Sequence, residues 1–118
     1  MRTNIILIFV TVLMVACSAK KSEEIISKSA DGNAQITISG TKNSFADPWQ
    51  TTIKISGYNN NSEAQTEIFA GALDKDVITF QWENNNICKI VIKQQDNTIR
   101  TFITEIQPDK LELHEELK

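Results

Sequence analysis

Apolar and polar residues alternate with period two through most of the chain after Ala34, the pattern of half-buried β-strands. Ala34-Gln35-Ile36-Thr37-Ile38-Ser39 predicts the first strand, and Gly40 to Pro48 a loop closed by Asp47-Pro48. From Trp49 to Tyr58 the alternation resumes, with Trp49, Thr51, Ile53 and Ile55 on one face and Gln50, Thr52, Lys54 and Ser56 on the other. Gly57-Tyr58-Asn59-Asn60-Asn61-Ser62 predicts a turn, because Asn and Gly tolerate positive φ. Gln65 to Leu73 alternates poorly, and Ala70-Gly71-Ala72 suits a strand or a short helix. After the turn residues Asp74-Lys75-Asp76 comes a three-strand meander. Val77 to Glu83 is aromatic and β-branched, Asn84-Asn85-Asn86 is a hairpin loop, and Ile87 to Gln94 returns. Asp96-Asn97 turns the chain again into Thr98 to Ile106, and Gln107-Pro108-Asp109-Lys110 breaks that strand. Residues 111–118 suit a last strand or a frayed helix. The strand is favoured, because Leu111 and Leu113 share a face only in an extended chain.

About seven short strands with regular turns predict an all-β fold, a small antiparallel β-sandwich, with a small β-barrel as the alternative. Ile36, Ile38, Trp49, Ile53, Ile55, Phe80, Trp82, Ile90, Ile92, Phe102 and Ile103 are the expected core. Trp82 followed by Cys88 is similar to part of the immunoglobulin pattern of Cys, Trp, Cys, but the upstream cysteine is missing. An immunoglobulin-like architecture is therefore expected without membership of that family.

The N-terminus has a different pattern. Arg2 precedes an uncharged run from Ile5 to Ala16, which is short for a membrane-spanning helix. A positive head, an apolar middle and a small residue before the cut are the plan of a signal peptide. Leu13-Met14-Val15-Ala16-Cys17 resembles the lipobox of bacterial lipoproteins, with Met14 where leucine is commonest. The resemblance implies removal of residues 1–16 and acylation of Cys17, which becomes the first residue of the mature chain. It implies a cell-envelope location on a membrane, and Ser18 after the cysteine resembles outer-membrane sorting. Each buried acyl methylene contributes about 0.8 kcal/mol, so the three chains of such an anchor release very slowly. Residues 17–33 are polar apart from Ile25-Ile26 and are expected to be the lipidated N-terminus and a flexible tether. Residues 34–118 form the expected single domain.

Charge and residue counts narrow the chemistry. The chain has 118 residues, with 12 Lys plus Arg against 15 Asp plus Glu. Arg2 leaves with the leader, so the mature chain is mildly acidic, which argues against nucleic acid as a partner. With Cys17 acylated, Cys88 is the one remaining thiol, and its apolar neighbours suggest a core residue. His114 is the only histidine, which excludes a histidine-built metal site. The four glycines form no phosphate-cradling loop, and no cofactor is expected. Asp74 and Asp76, with Glu63 or Glu83, have the oxygen ligands a calcium site needs, although the same residues suit an ordinary turn. Asp47-Pro48-Trp49 suits an exposed Trp49 that binds a sugar or protein, or a strand entry whose Trp49 joins the core. Tyr58 with its asparagines is a second candidate contact surface. Lys89, Lys93 and Arg100 are expected to pair across strands with Glu83 and Glu105.

These residues imply a non-enzymatic, membrane-anchored envelope module that binds a protein partner, as an inhibitor or immunity-type protein does. The small β-rich lipoproteins that inhibit lysozyme are similar in size and address, although their motifs are not matched here. The alternative is a calcium- or carbohydrate-binding module, or a carboxylate-based envelope enzyme.

Overall fold

A computed structural model of the chain describes residues 21–117. Residues 1–16, Cys17 and its immediate surroundings lie outside the described residues. Eight strands follow in order: β1 Lys21–Lys28, β2 Ala34–Lys42, β3 Trp49–Gly57, β4 Asn60–Ile68, β5 Ile78–Trp82, β6 Ile87–Lys93, β7 Ile99–Gln107 and β8 Lys110–Glu116. They form two four-stranded antiparallel sheets, β1-β2-β3-β4 and β5-β6-β7-β8. Each sheet is a plain meander of consecutive strands, and the chain passes between sheets only through residues 69–77. The all-β sandwich stands, with eight strands and simple up-and-down connectivity in place of the immunoglobulin Greek key.

The sheets stack with their period-two apolar faces inward. Ile36 and Ile38 of β2 and Ile53 and Ile55 of β3 are fully buried, as are Ile90 and Ile92 of β6 and Ile106 of β7. Each such side chain contributes roughly 1.5–3 kcal/mol when removed from water. Phe80 and Trp82 on β5 are half-buried against this layer. Ile103 departs from expectation. Because β7 turns Phe102, Thr104 and Ile106 inward, alternation puts Ile103 on the outer face, half-buried. Buried Thr104 donates from Oγ1 to the Cys88 carbonyl at 3.0 Å and so enters the core without an unmet polar group. A gap lined by Ser62, Ala64, Leu111 and Leu113 separates the edges of β4 and β8, so the sheets do not close into a barrel.

The expected tether is the largest correction. Its residues 21–28 are β1, paired with β2 from Lys21↔Lys42 to Lys28↔Gln35. Ile25 is the one apolar residue among the three that β1 turns inward. Of the other two, Ser27 bonds across to β5 of the second sheet and Glu23 to the inter-sheet segment. Ser27 Oγ accepts the Trp82 indole N–H at 2.9 Å, and Glu23 Oε1 accepts the Leu73 amide at 3.4 Å. An edge strand held partly by polar contacts carries little hydrophobic periodicity. β4 is similar: it begins at Asn60, directly after the two-residue turn Tyr58-Asn59. Both turn residues have positive φ, 53° and 64°, as a tight hairpin turn requires.

At the opposite edge Arg100 joins the sheets. It makes a two-pronged pair with Glu115 of β8, at 2.8 and 2.9 Å. It also donates to the Glu67 carbonyl at 2.7 Å and to Thr66 Oγ1 at 2.8 Å on β4, and its guanidinium lies over the Phe102 ring. The expected partner Glu105 instead faces Lys110, at 3.5 Å. The Arg100 hydrogen bond holds the Glu115 carboxyl below its ordinary 4.5.

Two outcomes test this packing. A Cβ on Gly57 would sit 2.7 Å from both the Asn33 carbonyl oxygen and Ile106 Cγ2. Gly57→Ala is therefore expected to cost about 1–3 kcal/mol in urea unfolding, the usual range for overpacking. Arg100→Met should cost about 2 kcal/mol, since hydrogen bonds to charged groups contribute about 1.5–3 kcal/mol each and the exposed side of the pair offsets part of that. Because the Glu115 pKa is lowered on folding, its contribution is present above the unfolded value and fades as pH falls through the folded one. The gap between wild type and Glu115→Gln should accordingly close below the ordinary carboxylate range.

Candidate binding surfaces

The up-and-down topology sends every second connection to the same end of the sandwich. One end carries the start of β1, the β2–β3 loop, the inter-sheet segment 69–77, the β6–β7 loop and the end of β8. The other carries the polar turns Asp31-Gly32-Asn33, Tyr58-Asn59, Asn84-Asn85-Asn86 and Pro108-Asp109.

Trp49 stands at the first end and is fully buried. The reading of an exposed tryptophan is thus overturned: Trp49 is in phase with Ile53 and Ile55, and its indole N–H donates to the Ala70 carbonyl at 3.0 Å. Lys42 donates to the same carbonyl at 2.9 Å and is itself buried, 5% exposed. Its Nζ lies 5.4 Å from the Trp49 ring centroid and 5.8 Å from that of Phe45. Ala70-Gly71-Ala72 is therefore neither strand nor helix but a loop whose carbonyl ties the end of β2 to the start of β3. Period two already puts Lys42 in phase with Ile36, Ile38 and Gly40, a signal of burial that its charge concealed. Phe45 is 90% exposed, and an aromatic residue inside a polar loop was the sequence signal for it.

Asp74 and Asp76 do not converge with Glu63 or Glu83. Both precede β5, whereas Glu83 follows it at the opposite end and Glu63 lies mid-strand on β4. The Asp74 carboxylate accepts the Asp76 and Val77 amides at 3.0 and 3.2 Å, the local bonding of a turn aspartate. Among the described residues, no three His, Cys, Asp or Glu side chains gather as a metal site. Tyr58 is half-buried, and its hydroxyl donates to Asn86 Oδ1 at 3.1 Å. It clamps two turns together at the far end and offers only part of its ring to solvent. Of these four residues the structure brings together only Asp74 and Asp76, through the backbone bonding of their own turn.

The outer face of the first sheet is concave. It holds a shallow depression of about 490 Å³. Two cross-strand rows line it, Glu24-Ser39-Thr52-Gln65 and Ser22-Thr41-Gln50. The lining is hydroxyl, amide and carboxylate, with no aromatic or cationic side chain among the described residues. Such a surface hydrogen-bonds a polar partner but lacks the Trp, Tyr and Arg anchors that dominate strong interfaces. Compared with protein-family models, curated proteins and solved structures, the chain matches none.

Cys88 supplies no nucleophile. Burial pushes its thiol up to about 12, and it faces the inter-sheet layer. Iodoacetamide at pH 8 should leave Cys88 unlabelled in the folded protein and label it in urea, as peptide mass spectrometry can measure. Fast labelling of the native chain would contradict the packing.

Proposed function

We propose that this protein is a lipid-anchored cell-envelope module that acts by binding, without catalysis, through the polar outer face of its first sheet. The observation that carries the reading is the adjacency of two features. A lipobox-like Cys17 lies four residues before Lys21, where a compact sandwich begins. Acylation of Cys17 would hold the domain directly at a membrane, with no long spacer. The depression on the first sheet supports a wet, hydrogen-bonded contact of modest intrinsic strength. Confinement to the envelope offsets that weakness, because an anchored partner meets this face at high effective concentration. The partner favoured here is an envelope protein. The hydroxyl and amide lining also suits a glycan, the second reading.

Cys17→Ser should move the chain from the membrane to the soluble fraction, and mass spectrometry of the wild-type N-terminal peptide should find acylated Cys17. A bare Cys17 would overturn the anchor. A photo-reactive residue at Thr52, in the depression, should capture one discrete envelope protein in intact cells, whereas one at Thr79, on the outer face of the second sheet, should not. Equal capture at both positions would contradict the assignment of the face, and capture of glycan alone would favour the second reading.

A further inference from the structure

The two ends of the sandwich differ in chemistry. Among the described residues, five large hydrophobic side chains are exposed: Ile26, Phe45, Phe69, Ile99 and Leu117. Four of them, all but Ile26, lie at the end where β1 begins. Phe45 and Leu117 are 90% and 88% exposed, Ile99 and Phe69 about half. The opposite end carries no exposed large hydrophobic among the described residues. Solvent-facing apolar groups at one pole of a small domain offer it an apolar contact surface that the other pole lacks.

Chain length says what covers it. Lys21 pairs with Lys42 at this same end, and Cys17 is four residues upstream. Four extended residues reach at most about 14 Å. A lipid on Cys17 therefore brings this end, and not the other, against the headgroups. A small cleft of about 120 Å³ lies beside Phe45, walled by Lys21, Lys42, Asn43, Ser44 and Gly71. Lys42 Nζ has three N–H donors and, among the described residues, one hydrogen-bond acceptor, Ala70 O. Two donors are thus left without an acceptor among the described residues, on a side chain that lines the cleft.

We propose that this end is a membrane-docking surface, with Phe45 entering the boundary between headgroups and acyl chains and the cleft between Lys21 and Lys42 taking a phospholipid phosphate. The proposal rests on the lipid-anchor reading. Docking is driven by apolar burial and one phosphate contact and not by a positive field, because Asp47, Asp74, Asp76 and Asp96 offset Lys21, Lys42, Lys75 and Lys93 at this end. Zwitterionic phosphatidylcholine is therefore a sufficient surface. Docked this way, the strands rise along the membrane normal. Tyr58 stands roughly 29–31 Å out at the far end of β3, from nine residues at about 3.2–3.4 Å each.

The test uses the mature acylated protein with Ala46→Cys, nitroxide-labelled and reconstituted into phosphatidylcholine vesicles. Asn59→Cys is labelled likewise for the far end. Buried Cys88 and acylated Cys17 take no label. Power-saturation resonance should give a several-fold higher ratio of oxygen to nickel accessibility at position 46 than at 59. Adding Phe45→Ser should abolish the difference. Vesicles of a galactolipid, which has no phosphate, should give a shallower label at 46; an unchanged depth there would overturn the phosphate cleft. Protein that floats with the vesicles while position 46 is as nickel-accessible as 59 would overturn docking and leave the anchor intact. Protein that does not float would overturn the anchor and docking together.

Discussion

The structure depends on a single layer of branched aliphatic side chains held between two sheets by strict alternation. Nine isoleucines among the described residues are buried in it, and the four central strands, β2, β3, β6 and β7, supply seven of them. A one-residue slip in any of these strands would turn its isoleucines to solvent. Register is therefore set by burial, and register in turn sets where each loop falls. The outer faces are then free to be polar, and the ends are free to differ. The edge strands add less apolar area, so polar bonds fasten them: Trp82 of the second sheet and Leu73 of the inter-sheet segment to Ser27 and Glu23 at one edge, Arg100 to Thr66 and Glu67 at the other.

That division of labour explains what the sequence made legible. Central strands alternate cleanly because both neighbours and the facing sheet bury their inner side, so β2, β3, β6 and β7 could be read directly. β1 could not, since Glu23 and Ser27 occupy two of its inward positions and read as linker. β4 is hidden in the sequence because Asn60, Ser62 and Ala64 are exposed although they lie on its inward phase. The two-residue turn before it consumed fewer residues than the asparagine run suggested. Phe102 and Ile103 are both apolar enough for the core, but adjacent residues of one strand cannot share a face, and Phe102 takes the inward one.

The candidate site was less legible than the fold. Trp49 and Tyr58 are aromatic residues near turns, yet Trp49 is consumed by the core and Tyr58 by a hydrogen bond to Asn86. Asp74 spends its carboxylate on its own turn. The groups that remain available are of another kind. They are the Ser, Thr and Gln rows of the first sheet and the exposed Phe45 beside buried Lys42. A row of hydroxyls on a sheet face is individually unremarkable in sequence, and becomes a surface only when three strand pairings align it. The same pairings bring the start of β1 beside the β2–β3 loop, which links the proposed site of anchoring to the chemistry of that end.

The stacking of the two sheets is the claim on which all of these placements rest. Gly57 of β3 and Ile106 of β7 belong to different sheets and meet only if the stack is right. A solution nuclear Overhauser spectrum should show a strong cross-peak between the Gly57 α protons and the Ile106 γ2 methyl. If that methyl meets only neighbours from its own sheet while the strand pairings within each sheet persist, the sandwich described here is wrong.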